Sequence, residues 1–298
     1  MDYAQIRAVV EVARLQSFSR AAEALGLTQP AISAQVRAAE DECGFRLFDR
    51  LGRNVYLTRP GAVLADYGRR LLTYRREAHR ALTDLHAGPA GSLLLGATEA
   101  ICTYLLPAII KEYRALHPNV GVSIFRHNTN RVVRKLSEGA LDAGFVSLPV
   151  SADDLQVTPV FKDRWMAAVS ANNPLAHADK VRVEDLLQFP FILPESGHTR
   201  TVMDRLLAPH RRRAKIAFEI SGIEVIKRFV AEGMGVTLLS ETYAAEEVAA
   251  GRLKMIPIAG EKLSREIGLA VRRDDYLPQA VRALIAVTKK LHLGKRKN

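Results

Sequence analysis

Seven apolar residues at heptad spacing, Leu64, Tyr67, Leu71, Tyr74, Ala78, Ala81 and Leu85, constrain this chain more than any other feature of it. Positions a and d sustained over three repeats describe one long helix with a single apolar seam, and such a seam is built to meet a partner helix. Thr58 can cap its start, Arg59-Pro60-Gly61 suits its first turn, and Gly88-Pro89-Ala90-Gly91 breaks it after about His86. The helix therefore divides the 298 residues into a short head, a linker and a long second part.

Within the head, Tyr3, Ile6, Val9, Val10 and Ala13 recur at helical spacing behind Asp2, a candidate cap. A second short helix over residues 19–25 turns Ala21, Ala22 and Leu25 inward, and Gly26 is placed to end it in a left-handed conformation. A third opens at Thr28-Gln29-Pro30, with Thr28 as N-cap, Pro30 in the first turn, and Ile32, Val36 and Ala39 on the inner face. Small residues at Ala21, Ala22 and Gly26 let two helices approach across a three-residue turn, the pattern of a helix-turn-helix. Segments 45–50 and 53–58, on either side of Gly52, then read as a short strand pair, so the head is a winged helix-turn-helix. Residues 46–80 hold nine arginines against three acids, and the chain as a whole carries 43 Lys and Arg against 32 Asp and Glu, a net charge of +11. Such a balance expects a polyanionic partner or an anionic ligand.

Beyond Gly91 the pattern changes. Strand-like runs at 92–97, 120–125, 143–146, 165–169, 191–193, 216–220, 236–239 and 267–271 alternate with helical segments, as in an open α/β architecture. The stretch is large for one small sheet. A second lobe is expected to begin at Asp163-Arg164-Trp165, with Leu269-Ala270-Val271 returning the chain to the first. The expected division is 1–60 for the head, 61–87 for the linker, 88–91 for a hinge and 92–298 for the α/β part. One lobe takes about 92–162 and 266–298, the other about 163–265. Ligands of such folds bind at the carboxyl ends of the strands.

Other classes are set aside by what the sequence lacks. There is no run of 18 apolar residues, and Met1-Asp2-Tyr3-Ala4-Gln5 resembles no signal peptide, so a cytoplasmic protein with no membrane partner is expected. Cys43 and Cys102 lie far apart without C-x-x-C spacing, and the eight histidines show no metal-ligand spacing, so reduced thiols, no metal and no cofactor are expected. G-x-S-x-G, H-E-x-x-H, G-x-x-x-x-G-K-[ST] and G-x-G-x-x-G are all missing, which argues against an enzyme. The basic end, with six cations and no acid over 282–298, reads as a solvated tail.

A series of motifs carries a resemblance. Ser17-Phe18-Ser19-Arg20-Ala21-Ala22, Leu27-Thr28-Gln29-Pro30-Ala31-Ile32-Ser33, Leu47-Phe48-Asp49-Arg50 and Leu57-Thr58-Arg59-Pro60-Gly61 appear in this order. They are followed by Leu105-Leu106-Pro107, His117-Pro118-Asn119-Val120, Leu141-Asp142-Ala143-Gly144, Pro190-Phe191-Ile192-Leu193 and Gly233-Met234-Gly235-Val236. Over essentially its whole length the chain resembles the LysR-type transcriptional regulators. That resemblance implies an α+β multidomain protein: a DNA-binding head, a dimerising linker helix, and a two-lobed α/β effector domain similar to type 2 periplasmic binding proteins. It also implies double-stranded promoter DNA, a small-molecule effector, further copies of the chain up to a homotetramer, and RNA polymerase as partners.

The residues then take expected roles. Gln29 can offer its amide bidentately to adenine and Ser33 can reach a base edge, with Pro30 in the same first turn. Arg37, one turn beyond Ser33, suits a phosphate, as does Thr28, which capping alone also explains. The resemblance suggests that Arg53 enters the minor groove while Arg50 supports backbone contacts. Many relatives carry a larger polar residue where this chain has Ala34.

In the effector domain Thr98, Glu99 and Ala100 sit where a strand enters a helix, a place suited to an anion. The spacing to Leu105-Leu106-Pro107 is one residue longer than in relatives that bind carboxylates there. Either Thr98 or Glu99 then faces the ligand, and Glu99 would repel a carboxylate. Thr129 matches the family's second effector-contacting loop. Ser196, His198, Thr199 and Arg200 face it from the other lobe, Arg200 as a clamp for an anion. Glu224 closes the far side or caps its own helix. The effector expected is a small organic or inorganic anion. Two alternatives stay open: a redox-sensing regulator of the same fold that uses Cys102, and a solute-binding protein that does not bind DNA.

Overall fold

The computed structural model describes residues 1–51, 54–87, 91–261, 263–273 and 276–295. The chain falls into two compact units, Met1–Gly88 with Glu138–Ala140, and Pro89–Ser137 with Leu141–Asn298.

The first unit begins with α1 (Tyr3–Leu15), started by a reciprocal cap: Asp2 accepts from the Gln5 N–H at 2.8 Å and the Gln5 side chain accepts from the Asp2 N–H at 2.8 Å. Helix α2 (Phe18–Leu25) is capped by Ser17 and closed by Gly26 at φ 67°, where a side chain would be strained. Helix α3 (Gln29–Cys43) opens on Thr28, whose hydroxyl accepts from the Ala31 N–H at 3.4 Å. Strands β1 (Phe48–Leu51) and β2 (Asn54–Leu57) pair antiparallel, Phe48 opposite Leu57 and Leu51 opposite Asn54. Val9, Val12, Ala21, Ile32, Val36 and Leu47 form the core, and burying each large aliphatic among them contributes roughly 1.5–3 kcal/mol.

Helix α4 (Arg59–Ala87) is the long linker. The Thr58 hydroxyl accepts from the Gly61 N–H at 3.0 Å and donates to the Arg46 carbonyl at 2.7 Å, so helix start and wing share one anchor. The expected seam needs one correction. Leu64 packs against the head core, because the first turns of α4 lie against α1, where Gly68 approaches Val10 and Ile6. Tyr67, Leu71 and Tyr74 are more than half exposed, Ala78 is exposed, and Val63 and Leu82 extend the same apolar surface. Leu85 lies on α4, but its side chain falls outside the described residues.

The second unit continues through β3 (Gly91–Ala97), α5 (Glu99–Tyr104), α6 (Leu106–Leu116), β4 (Val120–Arg126), α7 (Thr129–Ser137), β5 (Ala143–Ser147), β6 (Leu155–Ser170), α8 (Val183–Leu186), β7 (Phe191–Pro194) and α9 (His198–Leu207). It ends with β8 (Ile216–Ile220), α10 (Ile223–Ala231), β9 (Thr237–Ser240), α11 (Ala245–Ala249), β10 (Leu253–Ile256), β11 (Ser264–Arg272) and α12 (Gln279–Lys295). Strands β4, β3 and β5 run parallel, and β11 joins them antiparallel beside β5. Strand β6 serves two lobes: through Arg164 it pairs with β11, and from Trp165 onward it pairs with β9 and β10. One apolar core gathers Leu93, Tyr113, Phe145 and Leu269. Another gathers Trp165, Phe191, Met203 and Val236.

Two features depart from expectation. Strand β6 starts ten residues before the expected run at 165–169, although it contains Pro159, which argues against a regular strand. The pairing resolves the conflict: the register shifts between Ile267, opposite Phe161, and Gly268, opposite Pro159, so the proline sits at a bulge. Strand β10 has only four residues, too few for a clear alternation. Of the expected hinge, Gly91 begins β3 and residues 88–90 lie outside the described residues.

Gly61 gives the fold its first test. A Cβ there would lie 1.9 Å from the Leu47 carbonyl oxygen, so α4 reaches the wing only because this residue has no side chain. Gly61→Ala is expected to destabilise the head by about 2 kcal/mol or more, read as a lowered urea midpoint; an unchanged midpoint refutes the close approach.

Candidate DNA-reading face and effector cleft

Two bonds fix where the recognition surface lies. Glu40, on α3, accepts from the Leu47 N–H at 2.7 Å and the Phe48 N–H at 3.4 Å, which couples the third helix to the wing. On the opposite face of α3 from Ile32 and Val36, Thr28, Gln29, Pro30 and Arg37 are exposed and Ser33 is half-buried. The Gln29 side-chain amide donates to the Ser33 hydroxyl at 3.0 Å, so the two readout candidates already touch. Ala34 is exposed between them and Arg37. The Arg50 backbone lies in β1, but its side chain, and all of Arg53, fall outside the described residues.

At the effector domain's strand ends, Thr98 is the N-cap of α5, and its side chain makes no capping bond. Glu99 points elsewhere, pairing with Arg126 at 3.4 Å across the ends of β3 and β4. The negative charge of Glu99 thus has a partner, and among the described residues the Thr98 hydroxyl takes no part in capping. Ala100 is half-buried in the first turn. The His127 N–H donates to the Ala97 carbonyl at 2.9 Å, and Asn128 caps α7 by accepting from the Arg131 N–H at 2.9 Å, leaving half-buried Thr129 at the same sheet edge as Thr98.

The second lobe's candidates divide. The His198 ring lies 5.2 Å from that of Trp165; desolvation first, then the Arg265 and Arg205 charges, hold its pKa below the ordinary value, which keeps the imidazole neutral at pH 7. Ser196 is exposed and Thr199 half-buried nearby. Arg200 is not an open clamp. Its guanidinium donates to Asp204 at 3.0 Å and to the Pro194 carbonyl at 3.2 Å, and meets Glu219 at 3.1 Å, so it braces β7, α9 and β8. Glu224 does not cap α10; it pairs at 3.0 Å with the buried Lys227.

The cluster that sequence reasoning missed lies where β6 and β11 cross. Asp163 and Arg265 stand opposite each other in the ladder, both about 5% exposed or less, with 3.4 Å between carboxylate and guanidinium. Ser240 and Thr242 also donate to Asp163. Arg265 lies over the Tyr243 ring at 4.6 Å, and Tyr243 stacks on Tyr104, from the other lobe, at 4.6 Å. Lys227 sits 4.9 Å from the Tyr104 ring centre and donates to the Tyr243 carbonyl at 3.1 Å. Burial pushes the Tyr243 hydroxyl up to about 12. Trp165 Nε1, Arg265 Nε and the Tyr104 and Tyr243 hydroxyls are buried without a hydrogen-bond partner among the described residues. A lysine inside the apolar run of α10 and the Asp-x-Trp spacing on β6 were the available signals.

The bacterial regulatory helix-turn-helix protein family, lysR family, matches residues 3–62, and the LysR substrate binding domain family matches residues 86–292. The chain belongs to the LysR family. It is a LysR-type transcriptional regulator with an effector-binding domain, and regulators of this family bind promoter DNA and oligomerise. It is 33% identical over 288 residues to a probable RuBisCO transcriptional regulator of Synechocystis, covering 94% of this chain and 84% of that one. A full-length OxyR variant from Pseudomonas aeruginosa superposes with a TM-score of 0.76 at 26% identity, covering 97% and 95% of the two chains. Full-length CbnR in complex with its target DNA shares the fold at a TM-score of 0.66 and 18% identity, covering 97% and 99%. LysR-family members are regulators and not, in general, enzymes. No described helix is long and apolar enough to cross a membrane.

Cys102 is half-buried in α5, and its thiol is pushed up, first by burial and then by Glu99, against the opposing pull of Arg126. A raised pKa leaves little thiolate at pH 7. In a Cys43→Ser background, Cys102 is expected to react with iodoacetamide more slowly than free cysteine at pH 7.5. A rate at or above that of free cysteine would favour the redox reading.

Proposed function

We propose that this regulator reads promoter DNA through Gln29 and Ser33, with Thr28, Pro30, Arg37, Arg50 and Arg53 placing the head on the duplex. The observation that carries this is the bonded pair of exposed Gln29 and half-buried Ser33 on a capped helix whose other face is core. Self-association through Tyr67, Leu71, Tyr74 and Ala78 of α4 gives the dimer, and the exposed edge-strand residues Ile124, Phe125 and Phe218 supply apolar surface for assembly to a tetramer. The protein acts in the cytoplasm, without catalysis, by changing what the assembled heads offer RNA polymerase. The named function of the similar cyanobacterial regulator makes the RuBisCO gene promoter the first fragment to test.

Footprinting against genomic fragments provides the test of the head. Gln29→Ala is expected to cost about 1–3 kcal/mol and relax preference at one base, whereas Arg37→Ala weakens all sequences alike. Retained affinity and preference in Gln29→Ala would mean that α3 is not the reader.

We further propose that the effector is a small anion held between the lobes. Support comes from the unmet donors near the lobe junction: the Thr98 hydroxyl at one strand end, and Trp165 Nε1, Arg265 Nε and two tyrosine hydroxyls, against one unmet buried acceptor, Glu247 Oε2. A ligand rich in acceptors satisfies such groups, whereas each one left buried and unmet costs roughly 1–3 kcal/mol. Thr129, Ser196, His198 and Thr199 complete the walls. Trp165 is the chain's only tryptophan. Titration of the full-length protein with carboxylate and phosphate metabolites is expected to change its fluorescence, and Thr98→Val to raise the half-saturation at least tenfold. Saturable binding that Thr98→Val leaves unchanged would remove the hydroxyl from the site.

A further inference from the structure

Several arginines of the effector domain meet carboxylates. Arg126 meets Glu99, Arg164 meets Glu241 at 3.0 Å, Arg182 meets Asp185 at 3.5 Å, Arg252 meets Glu247 at 4.0 Å, and Arg265 meets Asp163. The turn between α9 and β8 instead gathers four cations within five residues. Arg211, Arg212, Arg213 and Lys215 are all exposed, and no described carboxylate lies within 4 Å of any of them. The local sequence supplies none either, since no Asp or Glu occurs from Arg205 through Phe218.

The turn is held in shape. The Arg213 and Ala214 N–H groups donate to the His210 carbonyl at 2.8 and 2.9 Å, and the Lys215 carbonyl accepts from the Phe191 N–H at 2.7 Å. His210 itself is engaged, 3.7 Å from Glu184. Four like charges are thus kept close on a braced backbone, an arrangement that repels itself in the free protein and that an anionic partner relieves. Three adjacent guanidiniums are the side chains best shaped to fork onto phosphate oxygens.

We infer that this turn is a second DNA contact, carried by the effector domain and blind to sequence, which grips the backbone of the duplex whose bases the head reads. Duplex DNA suits it better than an acidic protein face does. The protein already holds this polyanion, and the four cations stand in a row without the interleaved acids that fix register between two protein surfaces. The inference goes beyond the head's reading and adds to it a salt-dependent grip.

The full-length protein and a mixed-sequence 150-base-pair duplex test it, with affinity followed across salt concentration. Removing one cation that neutralises a phosphate lowers the salt slope by about 0.9, so Arg211→Gln with Arg213→Gln is expected to lower it by about 1.8 and to weaken binding at low salt. Lys289→Gln with Lys290→Gln removes the same charge from exposed positions on α12 and is expected to leave the slope unchanged. Arg211→Lys with Arg213→Lys is expected to keep it, which separates missing charge from misfolding. An unchanged slope in the arginine-to-glutamine pair, or an equal fall in both glutamine pairs, overturns the inference. Arg37→Ala in the same titration separates the two readings. If it lowers the slope while the turn variant does not, only the turn's role falls; if neither does, the head's role falls with it.

Discussion

The buried pair Asp163–Arg265 is the contact around which the effector domain is arranged. Charges taken from water cost several kcal/mol each, and here Ser240, Thr242 and the face of Tyr243 offset that cost. The pair stands where β6 and β11 leave one lobe for the other, so both lobes are tied to it through the backbone. Side chains two apart on a strand share a face, which places Trp165 beside Asp163 and under His198. A charge pair, a tryptophan and the start of α9 therefore meet because of one register.

A second link joins the lobes away from the strands. Tyr104, from the end of α5, stacks on Tyr243, and Lys227 lies against the Tyr104 ring while bound to Glu224 and Glu247. An effector shifts a domain of this kind only to the extent that it binds one arrangement of the lobes better than another. Arg200, which looks from its position like the ligand's own cation, contributes stiffness instead by holding three elements of the second lobe together.

The head follows a different logic, with few charges inside and geometry set by caps. Asp2, Ser17 and Thr28 start its three helices, and Glu40 and Thr58 tie α3 and the linker to the wing. Rigid coupling matters for reading DNA, because a side chain identifies a base edge only when its position relative to the phosphate contacts is fixed. The Gln29–Ser33 bond extends that order to the two residues proposed to read the bases.

Local signals were sufficient for much of this. Caps, the small residues Ala21, Ala22 and Gly26, the heptad seam and the alternation of strands with helices are short-range features, and the chain's own residues determined the winged head, the long linker and the α/β class through them. Tertiary structure decided the rest, because it depends on partners distant in sequence. Glu99 finds Arg126 only once β3 and β4 pair, Arg200 finds Glu219 across β7 and β8, Leu64 turns inward because α1 lies against α4, and Pro159 is accommodated only by the shifted register opposite Gly268. A side chain's type announces what it can bind, but whether it is still available is settled by who stands next to it after folding.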